Sequence, residues 1–235
     1  RSTLFPYTTL FRSIRNYWQY CTFFIFVGLT FYMGFWGHEQ LSTIQIILMY
    51  SLVALAIHQF EEYVFPGGAP LVINKATYGE KNDYKHYPGN TLSISIVNIS
   101  AYIFYILAII FPQFIWLGLA TMIFNIVQLF GHGISMNKAM GTWYNPGLAS
   151  SIFLFTPISI YYIIYIHTEG LADIFSWIGS IITFIIIMIL TVVLPVQLLK
   201  DRNSKYVISN WQIERFNKVK ELCKISRSEE RRVGK

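Results

Sequence analysis

Apolar residues run along this chain in blocks of about 20, separated by short polar segments. Six blocks stand out: about Tyr17–Trp36, Thr43–Glu62, Leu92–Phe111, Phe114–Ile134, Leu148–Ile166 and Leu171–Leu194. None alternates with the period of a strand, and each is long enough as a helix to cross about 30 Å of hydrocarbon. A helix also satisfies its own backbone where no water can. The pattern predicts an all-α, polytopic membrane bundle of about six transmembrane helices. Only Pro112-Gln113 separates the third and fourth blocks, which predicts a tight antiparallel pair. Between the second and third lie 29 residues, Tyr63–Thr91, with Pro66-Gly67-Gly68, Pro70 and Pro88-Gly89. This stretch reads as a long loop.

Composition agrees with the pattern: 54% of residues are hydrophobic and 13% charged, with a mean hydropathy of +0.46. These values lie outside the soluble range. Cys21 sits in an apolar block and Cys223 in a basic tail, so neither a disulfide framework nor a cysteine metal motif is visible.

The two ends need separate treatment. Arg227–Lys235 is the translation of AGATCGGAAGAGCGTCGTGTAGGGAAA, and Phe5–Ser13 is the translation of its reverse complement. Opposite strands of one DNA word at the two ends indicate sequencing adapter read as coding sequence. We therefore set aside residues 1–13 and 227–235 as adapter-derived. That leaves 14–199 as the six-span domain and 200–226 as a basic tail. The full chain has 18 Lys+Arg and 12 Asp+Glu; the ends account for six and two of these, leaving 12 and 10. The residual charge of +2 removes any case for nucleic-acid binding.

Lys and Arg also orient the chain. Arg15, the loop holding Lys75, Lys81 and Lys85, the loop holding Lys138, and the tail from Lys200 to Lys224 all fall on one side of a six-span topology. The other connections, Gly37–Ser42, Pro112-Gln113 and His167–Gly170, carry none. The expectation is a plasma-membrane protein with both termini cytoplasmic.

Polar residues inside the spans are costly, about 2.5–3.5 kcal/mol for a charge at mid-membrane. In AIHQFEEYVFPGG, Ala56–Gly68, His58 shares a helical face with Glu61 and Glu62, about 60° and 40° away at roughly 100° per residue. In the fourth block Asn125, Gln128 and His132 form a stripe toward the same membrane face. A headgroup-solvated cluster would account for the first group, and interhelical hydrogen bonding for the second. Their gathering at one face favours a shared site, which requires spans two and four to be neighbours. Asn145-Pro146-Gly147 reads mainly as a turn, and His86 as a loop histidine outside the site.

HQFEE is an HxxEE motif, and the chain resembles the HXXEE-domain family of integral membrane proteins. His132 and Tyr144–Gly147 are similar to that family's second block, and the resemblance runs from about Ile44 to Ile166. It implies a membrane protein with the composition of an enzyme site and supplies no substrate. In outline the chain is also similar to intramembrane glutamate proteases, but it lacks their arginine after the paired glutamates.

Two imidazoles and two carboxylates suffice for a divalent metal such as Zn²⁺, held by three protein ligands beside a water. The assignment adopted is His58, His132 and one glutamate, Glu62, as ligands, with Glu61 and Glu62 sharing ligand and base roles. Asn125 would stabilise an oxyanion. The expected function is a metal-assisted hydrolase acting on a lipophilic or membrane-associated substrate within the lipid bilayer. A proton- or ion-coupled transporter and a non-catalytic structural protein are the alternatives.

Overall fold

A computed structural model describes residues 5–225. The segment Arg227–Lys235 set aside above lies outside the described residues, as do Arg1–Leu4. The first helix begins at Phe5, and its residues Thr9–Ser13 are exposed. Among the described residues there are eight helices and no strand. Six are long and apolar enough to span a membrane: α1 (Thr9–Gln40), α2 (Thr43–Tyr63), α4 (Thr91–Ile110), α5 (Ile115–Met140), α6 (Leu148–Thr168) and α7 (Ile174–Leu199). Two short ones, α3 (69–77) and α8 (Asn210–Leu222), lie at one end of the bundle.

α2 is the central helix: 61% of its membrane-length window is buried, against 11% for α7. It packs on α1, α4 and α6, while α5 packs on α4, α6 and α7. Leu48, Leu52, Leu55, Leu119, Phe155 and Tyr162 form the middle of the core. Isoleucines 178, 181, 182 and 185 of α7 face outward, as a lipid-facing helix requires. Lipid is as apolar as leucine, so apolar burial alone does not choose helix partners. Interhelical hydrogen bonds help to do so, each contributing about 0.6 kcal/mol and up to roughly 1.7. Gln45 Nε2 donates to the Ile109 carbonyl at 3.0 Å, and Gln59 Nε2 to the Asn98 carbonyl at 3.0 Å. Asn125 Nδ2 donates to Ser51 Oγ at 2.9 Å.

Helix ends follow local chemistry. Asn90 caps α4 by accepting from the Leu92 and Ser93 amides. Asp173 caps α7 through the Ser176 amide, so that helix begins at Ile174 rather than Leu171. Pro195 does not end α7. A π-helical turn, Met188–Val193, precedes the proline and shifts the backbone register, and the helix continues to Leu199. Pro157 in α6 likewise follows a π-helical turn, Ser151–Phe155.

The long connection and the tail are folded together. α8 lies on α3, with Leu71, Val72, Met140, Ile208, Phe216 and Val219 forming a second apolar core. Gln212 clamps the approach, accepting from the Gly68 amide at 2.6 Å and donating to the Tyr63 carbonyl at 2.8 Å. Gly68 has φ +103°, and a Cβ there would lie 2.7 Å from the Phe216 amide nitrogen, so only glycine fits. Arg202 binds Glu80 at 3.1 Å and Asp83 at 2.6 Å. The Ile208 amide donates to the Lys85 carbonyl, and the Thr91 amide to the Tyr206 carbonyl. These contacts bring the basic loop and the basic tail to one end of the bundle. Arg15 joins them, its guanidinium 4.4 Å from the Tyr206 ring centre.

Candidate metal centre

α2 delivers His58, Glu61 and Glu62 to that same basic end. The i, i+4 spacing puts His58 and Glu62 on one face, and His58 Nε2 lies 3.8 Å from a Glu62 oxygen. His132 enters from α5, its Nε2 3.5 Å from the other Glu62 oxygen. The two imidazoles stand edge to face with ring centres 5.0 Å apart. His132 lies in a π-helical turn, Gly131–Met136, a local widening often found at functional sites. His58, Glu62 and His132 could hold a metal ion: one ligand atom from each lies within 4.8 Å of the others.

The surrounding groups fix which ring nitrogens face inward. Asn145 Nδ2 donates to the His132 carbonyl at 2.7 Å, so the amide oxygen must be the atom 2.6 Å from His132 Nδ1. An amide oxygen only accepts, hence Nδ1 carries the hydrogen and Nε2 carries a lone pair. His132 Nε2 is buried and has no hydrogen-bond partner among the described residues. His58 follows the same logic. The Ser150 hydroxyl donates to Glu61 Oε2, leaving its oxygen to accept from His58 Nδ1 at 2.9 Å. Both histidines therefore turn a bare Nε2 toward Glu62.

Glu61 has a different place. Its oxygens accept from the Tyr144 hydroxyl at 2.7 Å, the Ala149 amide at 3.0 Å, and both the amide (2.8 Å) and hydroxyl of Ser150. A carboxylate at the first turn of α6 also meets the positive end of that helix. Burial first, then the charge of Glu61, raises the Tyr144 phenol well above its ordinary pKa, which keeps it a donor. Every acceptor site of Glu61 is thus engaged in holding α6 against α2, and its neighbour Glu62 is the carboxylate that faces the histidines.

Gly147 makes the approach possible. At φ +103° it turns the chain into α6, and a Cβ there would collide with the His132 ring. Asn145-Pro146-Gly147 is thus a turn and also the support of His132.

A family model described as a protein of unknown function with HXXEE motif matches residues 49–162. Residues 49–162 belong to the HXXEE family. The chain has no match among curated proteins or solved structures. In this HXXEE domain the motif's first and last residues, His58 and Glu62, face the His132 ring, while the middle glutamate supports the helix opposite.

Asn125 is placed apart from the group. It receives a hydrogen bond from Tyr105 and donates to Ser51, joining α4, α5 and α2. Seven residues separate it from His132, about 10 Å of helical rise. Gln128 borders a cavity of about 380 Å³ that His58 and Glu62 also line. His86 bonds the Arg202 carbonyl in the capping loop, outside the group. Ser150 and Gln59 were not singled out by the sequence, and Tyr144 only as the start of the segment that resembles the family's second block. The small polar Ser150-Ser151 pair, two residues beyond the Pro146-Gly147 turn, was the available signal for an occupied helix N-terminus.

Proposed function

We propose that this chain is a membrane-embedded, metal-assisted hydrolase in which His58, Glu62 and His132 hold a divalent cation, with Zn²⁺ the best fit. One observation carries the reading: two imidazole lone pairs and a carboxylate converge with no donor between them. Three acceptors converging in a low-dielectric interior are stabilised by a cation. Two imidazole nitrogens and one carboxylate are also a common ligand set of catalytic zinc. The outer bonds fit too, because ligating histidines generally donate their second N–H to a protein acceptor.

A cation held there supplies Lewis-acid activation of water. The chain's own residues hold the ligands in place. Asn145 fixes the His132 ring, and the Glu61–Ser150 pair fixes His58. Glu61 acts in this reading as a positioning residue, and Asn125 as a brace between helices. With the two ends set aside as adapter-derived, the catalytic unit is 14–199, and its 63–91 loop together with the tail 200–226 forms the cap. The clustering of Lys and Arg at the site end supports a cytoplasm-facing centre in the plasma membrane.

The test is elemental analysis of protein purified in mild detergent without added chelator. About one zinc per chain is expected in the wild type, with loss in His58→Ala, Glu62→Gln and His132→Ala. Wild-type protein without metal that retains cation- or proton-coupled flux in vesicles would replace this reading with a transporter.

A further inference from the structure

Beyond the metal group, the cavity is walled mainly by apolar side chains: Leu55, Ile94, Val97, Phe124, Val127 and Val192 are among them. Its volume falls within the range of small-molecule sites, about 300–1,000 Å³. On the aqueous side it is roofed by Ile73, Asn74, Thr77 and Tyr78 of the cap. That roof is anchored. Asn74 is fully buried, donates to the Tyr84 and Gly89 carbonyls and accepts from the Gly89 amide.

The side wall is different. Ile174–Ile187 of α7 pack on α5, but from Met188 to Leu199 the packing partner of α7 is α4. The two helices separate along the half that borders the cavity. Val127 of α5 lines the cavity on this side and is 39% exposed. At the inner end, Gln59 lies one turn before Glu62 on the same face of α2. Its Nε2 is held by the Asn98 carbonyl, and its Oε1 is buried with no partner among the described residues. Gln59 lines the same cavity.

We propose that the substrate is a long-chain N-acyl amide that enters from the bilayer between α5 and α7. The apolar walls take the acyl chain, the metal group meets the carbonyl, and Gln59 Oε1 accepts the amide N–H. This inference rests on the hydrolase reading for the reacting head. In the reaction, water supplies hydroxyl to the acyl carbon as the C–N bond breaks. The water's other proton goes to nitrogen, giving a carboxylic acid and an amine.

The experiment uses purified protein in phosphatidylcholine vesicles with an N-hexadecanoyl amide carrying a chain-terminal diazirine. After irradiation, adducts should concentrate within 124–131 and 188–196. Val127→Trp and Gln59→Leu should each lower that labelling about tenfold, the equivalent of one hydrogen bond or blocked contact near 1.4 kcal/mol. Zinc content should be unchanged in Val127→Trp. An ester probe of the same length, lacking the N–H, should be insensitive to Gln59→Leu. Equal labelling of lipid-facing sites such as Phe24 and Ile181, unaffected by Val127→Trp, would overturn the proposal and leave the metal centre standing. Localised labelling in a wild type that binds no metal would keep the lipid site and remove the hydrolase.

Discussion

Asn145 holds His132 at two points, accepting from the ring Nδ1 and donating to the backbone carbonyl of the same residue. Its amide also donates to Asn137 Oδ1 at 2.7 Å. Few arrangements fix a ring's rotation and its inward nitrogen together. Asn145→Ala should therefore weaken zinc binding about 10–100-fold, the usual cost of removing an outer partner of a ligand. Competition with a chromogenic chelator measures this directly, and an unchanged affinity would separate Asn145 from the centre.

The adjacent glutamates should behave oppositely. Compared as metal-free proteins, Glu62→Gln should unfold in detergent at nearly the wild-type temperature, because among the described residues Glu62 makes no short hydrogen bond. With zinc supplied it should fail to bind the metal and to gain the stability that binding confers. Glu61→Gln should lower stability, since one amide cannot serve four donors and each left unpaired costs about 1–3 kcal/mol. Equal melting temperatures for the two variants would contradict the assignment.

The cap should loosen in acid. Hydrogen bonds from the Asp83 and Asn82 amides, and then the Arg202 guanidinium, hold the Glu80 carboxyl below its ordinary pKa. A depressed carboxyl stabilises the folded cap above its unfolded pKa, and the contribution is lost as pH falls through the folded value. Spin labels at Lys81 and Ser204 should keep one short distance from pH 7 to about 5 and broaden below the ordinary glutamate range, about 4.3. Arg202→Ala should broaden it already at neutral pH.

Orientation can be read by labelling. With Cys21 and Cys223 replaced, single cysteines at Lys81 and Lys205 should be protected from a membrane-impermeant maleimide in intact cells. A cysteine at Glu169 should react. The reverse pattern would place the metal group on the extracytoplasmic side.

Much of the fold was legible because its signals are local. Span number follows from block length, and the His58/Glu62 pairing from spacing within one helix. His132 was legible as a histidine between two glycines at the same membrane face. Asn125 shows where such reading stops. On an ideal helix it lies about 20° from His132, but equal angle is not equal height, and two turns of rise carry it into the core. Ser150 and Asn145 act across 92 and 13 residues of chain respectively, so no spacing within a helix could reveal them. The far end of α7, at Leu199, depended on a π-helical turn, which leaves no periodic mark in a wholly apolar run.

That kind of turn has a consequence for how the chain tolerates change in length. A π-helical turn amounts to one extra residue accommodated in an α-helix. Gly131–Met136 is such a turn, and it lies between the start of α5 and the loop that supports His132. Removing one residue within it, Ile134 for example, would return the turn to α-helical geometry and leave the helix beyond it nearly in phase. Asn137 would then stay close to the Asn145 amide, and the change would fall on the widened backbone that carries His132. A deletion scan should find this turn more tolerant of a lost residue than the α-helical stretch Ile115–Phe130, where one deletion rotates all that follows by about 100°.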